Sequence, residues 1–184
     1  MNKKSIIIFG FPGVGKSYAY DHQEELKATI QDSDSSHFHW LYQGEGFDNP
    51  VLDEDGKKVV HPAWPANYAE YISLTGREQK DVPDFILVST HKEVMEAILA
   101  LEFPETWILV PARDDKEKYL ELYKQRGSSP EFIQNMDKNW DAFIDSVHSC
   151  WAKCCDAEYC SNNLFILNDK IKNVSDFIAH YPTR

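Results

Sequence analysis

No apolar run in this 184-residue chain approaches the roughly 20 residues needed to span a bilayer, and Lys3 and Lys4 lead into a stretch too short for a secretory signal. A soluble, intracellular protein is therefore expected. Basic charge is scarce. Against 30 Asp and Glu stand 19 Lys and Arg, giving a net charge of -11 and a pI near 5.0. Such a chain lacks the clustered cations of an extended nucleic-acid surface, although local basic residues can still grip a small anion. Paired C-x-x-C knuckles are also missing. Cys150, Cys154, Cys155 and Cys160 crowd together after His148, but their spacing suits reduced thiols packed as small hydrophobes better than a zinc site. Internal repeats and low-complexity segments are absent, and the length fits a single domain over residues 1–184.

What the chain does have is an alternation of short apolar runs and amphipathic segments, the pattern of a parallel α/β sheet with helices on both faces. Strands are expected at Ser5–Phe9, Ala28–Gln31, Asp84–Ser89, Thr106–Val110 and Leu164–Leu167. Helices are expected at Lys16–Lys27, Ala66–Leu74, Lys92–Leu101, Asp115–Arg126, Pro130–Lys153 and Val174–His180. The third strand is apolar almost throughout, which suits a central position covered on both faces. Residues 44–62, rich in Gly, Asp and Lys, read as a mobile, poorly ordered stretch.

Directly after the first strand, Gly10-Phe11-Pro12-Gly13-Val14-Gly15-Lys16-Ser17 reads G-x-x-x-x-G-K-S and opens a helix. The glycines let backbone N–H groups curl around phosphate oxygens, and the helix offers the positive end of its dipole. On a solvent-facing loop, Lys16 reaches the β- and γ-phosphates and the Ser17 hydroxyl ligates Mg²⁺. Gly10, Pro12, Gly13, Val14, Gly15, Lys16, Ser17 and Tyr18 form the expected nucleotide-binding set, with ATP and Mg²⁺ as the implied cofactors.

After the second strand comes Asp32-Ser33-Asp34-Ser35-Ser36. Carboxyl ends of parallel strands are where ligands bind in sheets of this class, so Asp32 could steady magnesium and Asp34 could accept a substrate proton. In isolation, a polar turn capping the next segment explains the same residues equally well. Ser89 and His91 close the third strand on that edge. They are candidates for substrate contact, with helix capping by Ser89-Thr90 slightly ahead.

The Gly10–Ser17 loop and the D-x-D at Asp32 and Asp34, without N-K-x-D or a motor-ATPase Walker B strand, resemble the P-loop kinase superfamily, which includes nucleoside monophosphate, shikimate and gluconate kinases. Residues 32–40, 61–68, 88–91 and 126–132 are similar to small kinase-like proteins often carried by bacteriophages and prophages. The resemblance implies a P-loop NTPase fold with a helical lid near 112–135, an acceptor-binding insertion near 35–80 and a cytoplasmic location in a bacterium or phage-infected host. It places Arg113 and Arg126 on the lid as catalytic cations beside Lys16 and Asp34. Phe38, Trp40, Tyr42, Trp64, Tyr68 and Tyr71 concentrate aromatic surface in the insertion, at least half of it expected to be core, while Arg77 is nominated only by its neighbourhood. The implied activity is ATP-dependent phosphoryl transfer to a small acceptor, foremost a (deoxy)nucleoside monophosphate. A hydroxyl kinase of the shikimate or gluconate type is the alternative, as is a nucleotide-binding regulatory protein with little turnover.

Overall fold

The computed structural model describes residues 4–44, 46–78, 81–155 and 162–181. Five strands, β1 (Ile6–Gly10), β2 (Ile30–Asp32), β3 (Phe85–Ser89), β4 (Thr106–Val110) and β5 (Asn162–Ile166), form one sheet in the order β2-β3-β1-β4-β5, every pairing parallel. Parallel neighbours cannot be joined by a tight turn, so each strand before β5 is followed by a crossover. The helices are α1 (Lys16–Asp21), α2 (Gln23–Leu26), α3 (Ser36–His39), α4 (Ala66–Ser73), α5 (Lys92–Leu99), α6 (Lys116–Gln125), α7 (Pro130–Cys155) and α8 (Val174–His180).

The strand order and the right-handedness of crossovers together decide the layers. The step from β1 to β2 runs one way across the sheet, whereas β2 to β3, β3 to β4 and β4 to β5 all run the other way. Their helices must therefore fall on opposite faces. The packing agrees: α1 and α2 contact α8, while α4 meets α5, α5 meets α7 and α7 meets α6. Between the layers, Ile7, Ile8 and Phe9 of β1, Phe85–Val88 of β3 and Ile108–Val110 of β4 are fully buried.

Several expected boundaries move. The first helix breaks at His22, whose ring Nδ1 lies 2.9 Å from the Tyr18 carbonyl that also accepts the His22 amide, and Lys27 ends α2 in the left-handed region at φ 52°. Strand β2 starts later than expected and takes in Asp32. Residues 44–62 are not structureless: Leu41 N donates to Val59 O, Val51 N to Leu41 O and Asp53 N to Lys57 O, so the chain folds back as a narrow antiparallel arm. Of the cysteine cluster, Cys160 and the side chains of Cys154 and Cys155 lie outside the described residues. Cys150 is buried in the core on α7.

Trp140 ties this frame to the loop after β1. It is 1% exposed, meets Phe11 edge-on at 5.3 Å and Tyr119 at 5.5 Å, and donates its indole N–H to Arg113 O at 2.9 Å. Trp140→Ala is expected to cost about 3–5 kcal/mol of stability, the usual loss for a buried Trp, read as a lower urea midpoint at unchanged slope.

Candidate functional site

Beyond β1 the Gly10–Ser17 loop is held from several directions. Phe11 N donates to Leu109 O at 3.1 Å, Val14 N to Phe11 O at 3.2 Å, and Val174 N to Val14 O at 2.9 Å. From α6, the Tyr123 hydroxyl donates to Pro12 O at 2.8 Å. Val14 itself points into the core, 1% exposed. Gly13 and Gly15 adopt φ of 85° and 88°, which a side chain would strain, and a Cβ on Gly13 would stand 2.8 Å from the Tyr123 ring. Gly10 is needed for a different reason. A Cβ there would lie 2.9 Å from the Lys16 stem.

Lys16 is not held out to solvent as the sequence suggests. Its Nζ turns back to donate to Gly10 O at 2.7 Å, with Phe11 O at 3.5 Å. Burial lowers its pKa to about 8; Asp32 and Asp34 oppose the shift, and Arg126 adds to it. The ammonium thus sits among carbonyls and carboxylates, in a place suited to a stronger anion.

Opposite it, the Ser17 hydroxyl donates to Asp32 Oδ2 at 2.8 Å, bringing the start of α1 and the end of β2 together. Among the described residues no group of three or more His, Cys, Asp or Glu could hold a metal. The two hard oxygens of Ser17 and Asp32 nevertheless fit Mg²⁺, which keeps several waters and completes its shell with phosphate oxygens. Asp34 stands on the adjoining turn, its Oδ1 accepting from Ser36 N at 2.9 Å, so the capping geometry is real. It also lines a cleft of about 850 Å³ that opens in front of the loop.

That cleft collects Pro12, Lys16, Ser17, Asp32, Asp34, Trp40, Ser89 and His91 from the expected set. Ser89 Oγ lies 3.1 Å from Ser35 Oγ. His91, not Ser89 or Thr90, is the residue preceding α5, and its side chain makes no capping bond. Partial burial, with His39 and Lys16 nearby, keeps its imidazole below the ordinary value. Sequence reasoning missed His39 and Glu93 on the same cleft, together with Phe132, Met136 and Phe143 of α7.

Other expected residues are elsewhere. Tyr68 is wholly buried, its hydroxyl donating to Ser33 O at 3.1 Å, and Phe38 packs on Tyr68 and Tyr71 rather than facing the cleft. Arg77 donates to Leu101 O and covers the Phe103 ring at 4.2 Å, a packing role away from the cleft. Arg113 pairs with Asp141 at 3.3 Å and with Asp145, both on α7, and lines neither cleft. Tyr18 is exposed and stacks on His22 at 3.9 Å. Arg126 alone of the lid pair acts on Lys16, whose pKa its charge lowers; it lies over Tyr123 at 4.7 Å and donates Nε to Ser128 Oγ at 2.7 Å. The helix behind it ends as a Schellman motif, with Gly127 at φ 75°, Gly127 N donating to Lys124 O and Ser128 N to Tyr123 O.

A second cleft of about 460 Å³ lies beyond the ends of β4 and β5, where Lys118, Ile166, Asn168, Asp169 and Lys172 line it. Ile166 is 49% exposed there. Its nearness to the loop follows from the Val174–Val14 bond and from Asn173, 3.5 Å from a Cβ position on Gly15. No family model matches the chain, and no curated protein matches it.

The position of Lys16 has a measurable consequence. Because its folded pKa lies near 8 and the unfolded one near 10.5, the unfolded chain binds more protons between these values, and stability rises with pH across that window. Chemical denaturation from pH 7.5 to 10.5 is expected to show this rise for the unmodified protein and to lose that component in Lys16→Met.

Proposed function

We propose that the protein is an ATP-dependent phosphotransferase of the P-loop kinase type. The observation that carries the reading is the glycine loop at the carboxyl edge of a parallel sheet, with Lys16 beneath it and Ser17 bonded across to Asp32. Loop amides and Lys16 would hold the donor's phosphates, and the smaller cleft beside Ile166 its nucleoside. Ser17 and Asp32 would hold Mg²⁺, which when bound supplies charge neutralisation on the phosphates. An acceptor occupies the larger cleft beside Asp34. Phosphoryl transfer asks a protein mainly for positioning and charge compensation, and these residues offer both.

Lys16→Ala is expected to abolish transfer of the γ-phosphate, read as ADP release in the presence of acceptor, while the circular dichroism spectrum stays that of the unmodified chain. Turnover equal to the unmodified protein would overturn the assignment.

The Arg126 guanidinium is exposed and, among the described residues, is held through Ser128 and the rings of Tyr123 and Phe132. As part of a lid it would complete its contact with phosphate only on closure. Arg126→Ala is therefore expected to reduce kcat by about tenfold or more, with little change in the Kd for ATP. Hydrogen exchange over residues 113–132 should slow when ATP and acceptor are both present. Identical exchange with and without them would make this an ordinary structural helix.

A further inference from the structure

We infer that the acceptor is an uncharged alcohol carrying a planar ring, rather than a phosphate ester. The inference rests on the reading of Gly10–Ser17 as the ATP loop and adds the substrate class of the adjoining cleft. An acceptor phosphate near neutral pH carries between one and two negative charges and is ordinarily gripped by forked guanidinium groups. The chain has only four arginines. Arg77 is bound to Leu101 O and covers Phe103, Arg113 is committed to Asp141 and Asp145, Arg126 lies over Tyr123 and Phe132 and is bonded to Ser128, and Arg184 lies outside the described residues. Apart from Lys16, which that reading gives to the donor, the described residues lining the cleft offer one amine, the exposed Lys92, against the carboxylates Asp32, Asp34 and Glu93. A dianion would meet more repulsion than attraction there.

What the cleft does offer is an aromatic wall. The His39 ring lies 4.2 Å from Trp40 and 4.7 Å from Trp64, all three only partly buried and lining the space. Trp64 is fixed in orientation because its indole N–H donates to Glu93 Oε2 at 2.8 Å. The pinned Trp64 indole, left partly open beside a polar floor, favours a flat ring that stacks.

Asp34 then has a role in the chemistry. Its Oδ1 is pinned by Ser36 N, and the carboxylate can take the proton of the acceptor O–H. The freed oxygen pair forms the new O–P bond to the γ-phosphorus as the bond from phosphorus to the β,γ-bridging oxygen breaks. That electron pair stays on the departing ADP, and the proton leaves Asp34 to solvent. A phosphate acceptor, already anionic, would need no such base.

The test compares a nucleoside, a hydroxymethylpyridine and a benzylic alcohol, each alongside its own phosphate monoester, with MgATP as donor and mass spectrometry of the products. At least one alcohol is expected to be phosphorylated with kcat/KM about 100-fold or more above its ester, roughly the preference expected where a charge must be buried unpaired. Asp34→Asn should lower kcat on that alcohol by about 10² to 10⁴ without changing the Kd for MgATP. Trp64→Leu should raise the acceptor KM about tenfold with kcat and ATP affinity kept. Preference for the esters, or no transfer to any alcohol by a protein that binds MgATP, overturns the inference and leaves the donor site standing. Failure to bind MgATP overturns both.

Discussion

The backbone of the Gly10–Ser17 loop can hold its shape only because distant parts of the chain grip it. Leu109 at the end of β4, Tyr123 on α6 and Val174 at the start of α8 each bond to it, and the Val14 side chain anchors its middle in the core. A loop with two residues at positive φ has no regular hydrogen-bond ladder of its own, so its amides can be left facing outward only if its carbonyls and one side chain are satisfied behind it. The strand order serves this end. With β1 in the middle of the sheet, its carboxyl end has β3 on one side and β4 on the other, and the elements that follow those strands can reach the loop from both.

Charge is organised around the same point. In a chain with net charge -11, the Lys16 ammonium is drawn in among Asp32, Asp34 and the Gly10 carbonyl, with Arg126 above. Burial disfavours its charge and the two carboxylates restore part of it, leaving a group that would gain from a polyanion. Arg77 and Arg113 serve packing and helix pairing, which leaves the larger cleft with aromatic walls and acidic groups instead of a cationic clamp.

Much of this architecture was legible from apolar runs. Thr106–Val110 and Val174–His180 appear with the boundaries expected, because each is a compact hydrophobic stretch bounded by a Pro-Ala or Asn signal. The G-x-x-x-x-G-K-S spacing and the two aspartates located the site's polar half. The arm at residues 41–60 was missed although Val51-Leu52 and Val59-Val60 flank Asp53–Gly56, a hairpin pattern obscured by its heavy charge. Tyr68 and Arg77 were misjudged for another reason. Both types have an apolar body and a polar tip, so neighbourhood in sequence does not tell whether the tip faces a ligand or, as here, a backbone carbonyl. The second cleft, made by residues 112–118 and 166–172, joins segments far apart in sequence and carries no local motif.

The central claim, that Lys16 waits on the Gly10 carbonyl for the phosphates of a nucleotide, is tested most directly by calorimetry of MgATP binding near pH 8.5 in buffers of different ionisation heat. In the free protein, with a Lys16 pKa of about 8, most of the amine is neutral at that pH. Phosphate contact favours the charged form, so binding is predicted to take up a substantial fraction of a proton, and Lys16→Met should take up none. Binding with no proton uptake, or with the same uptake in the Met variant, would contradict the account.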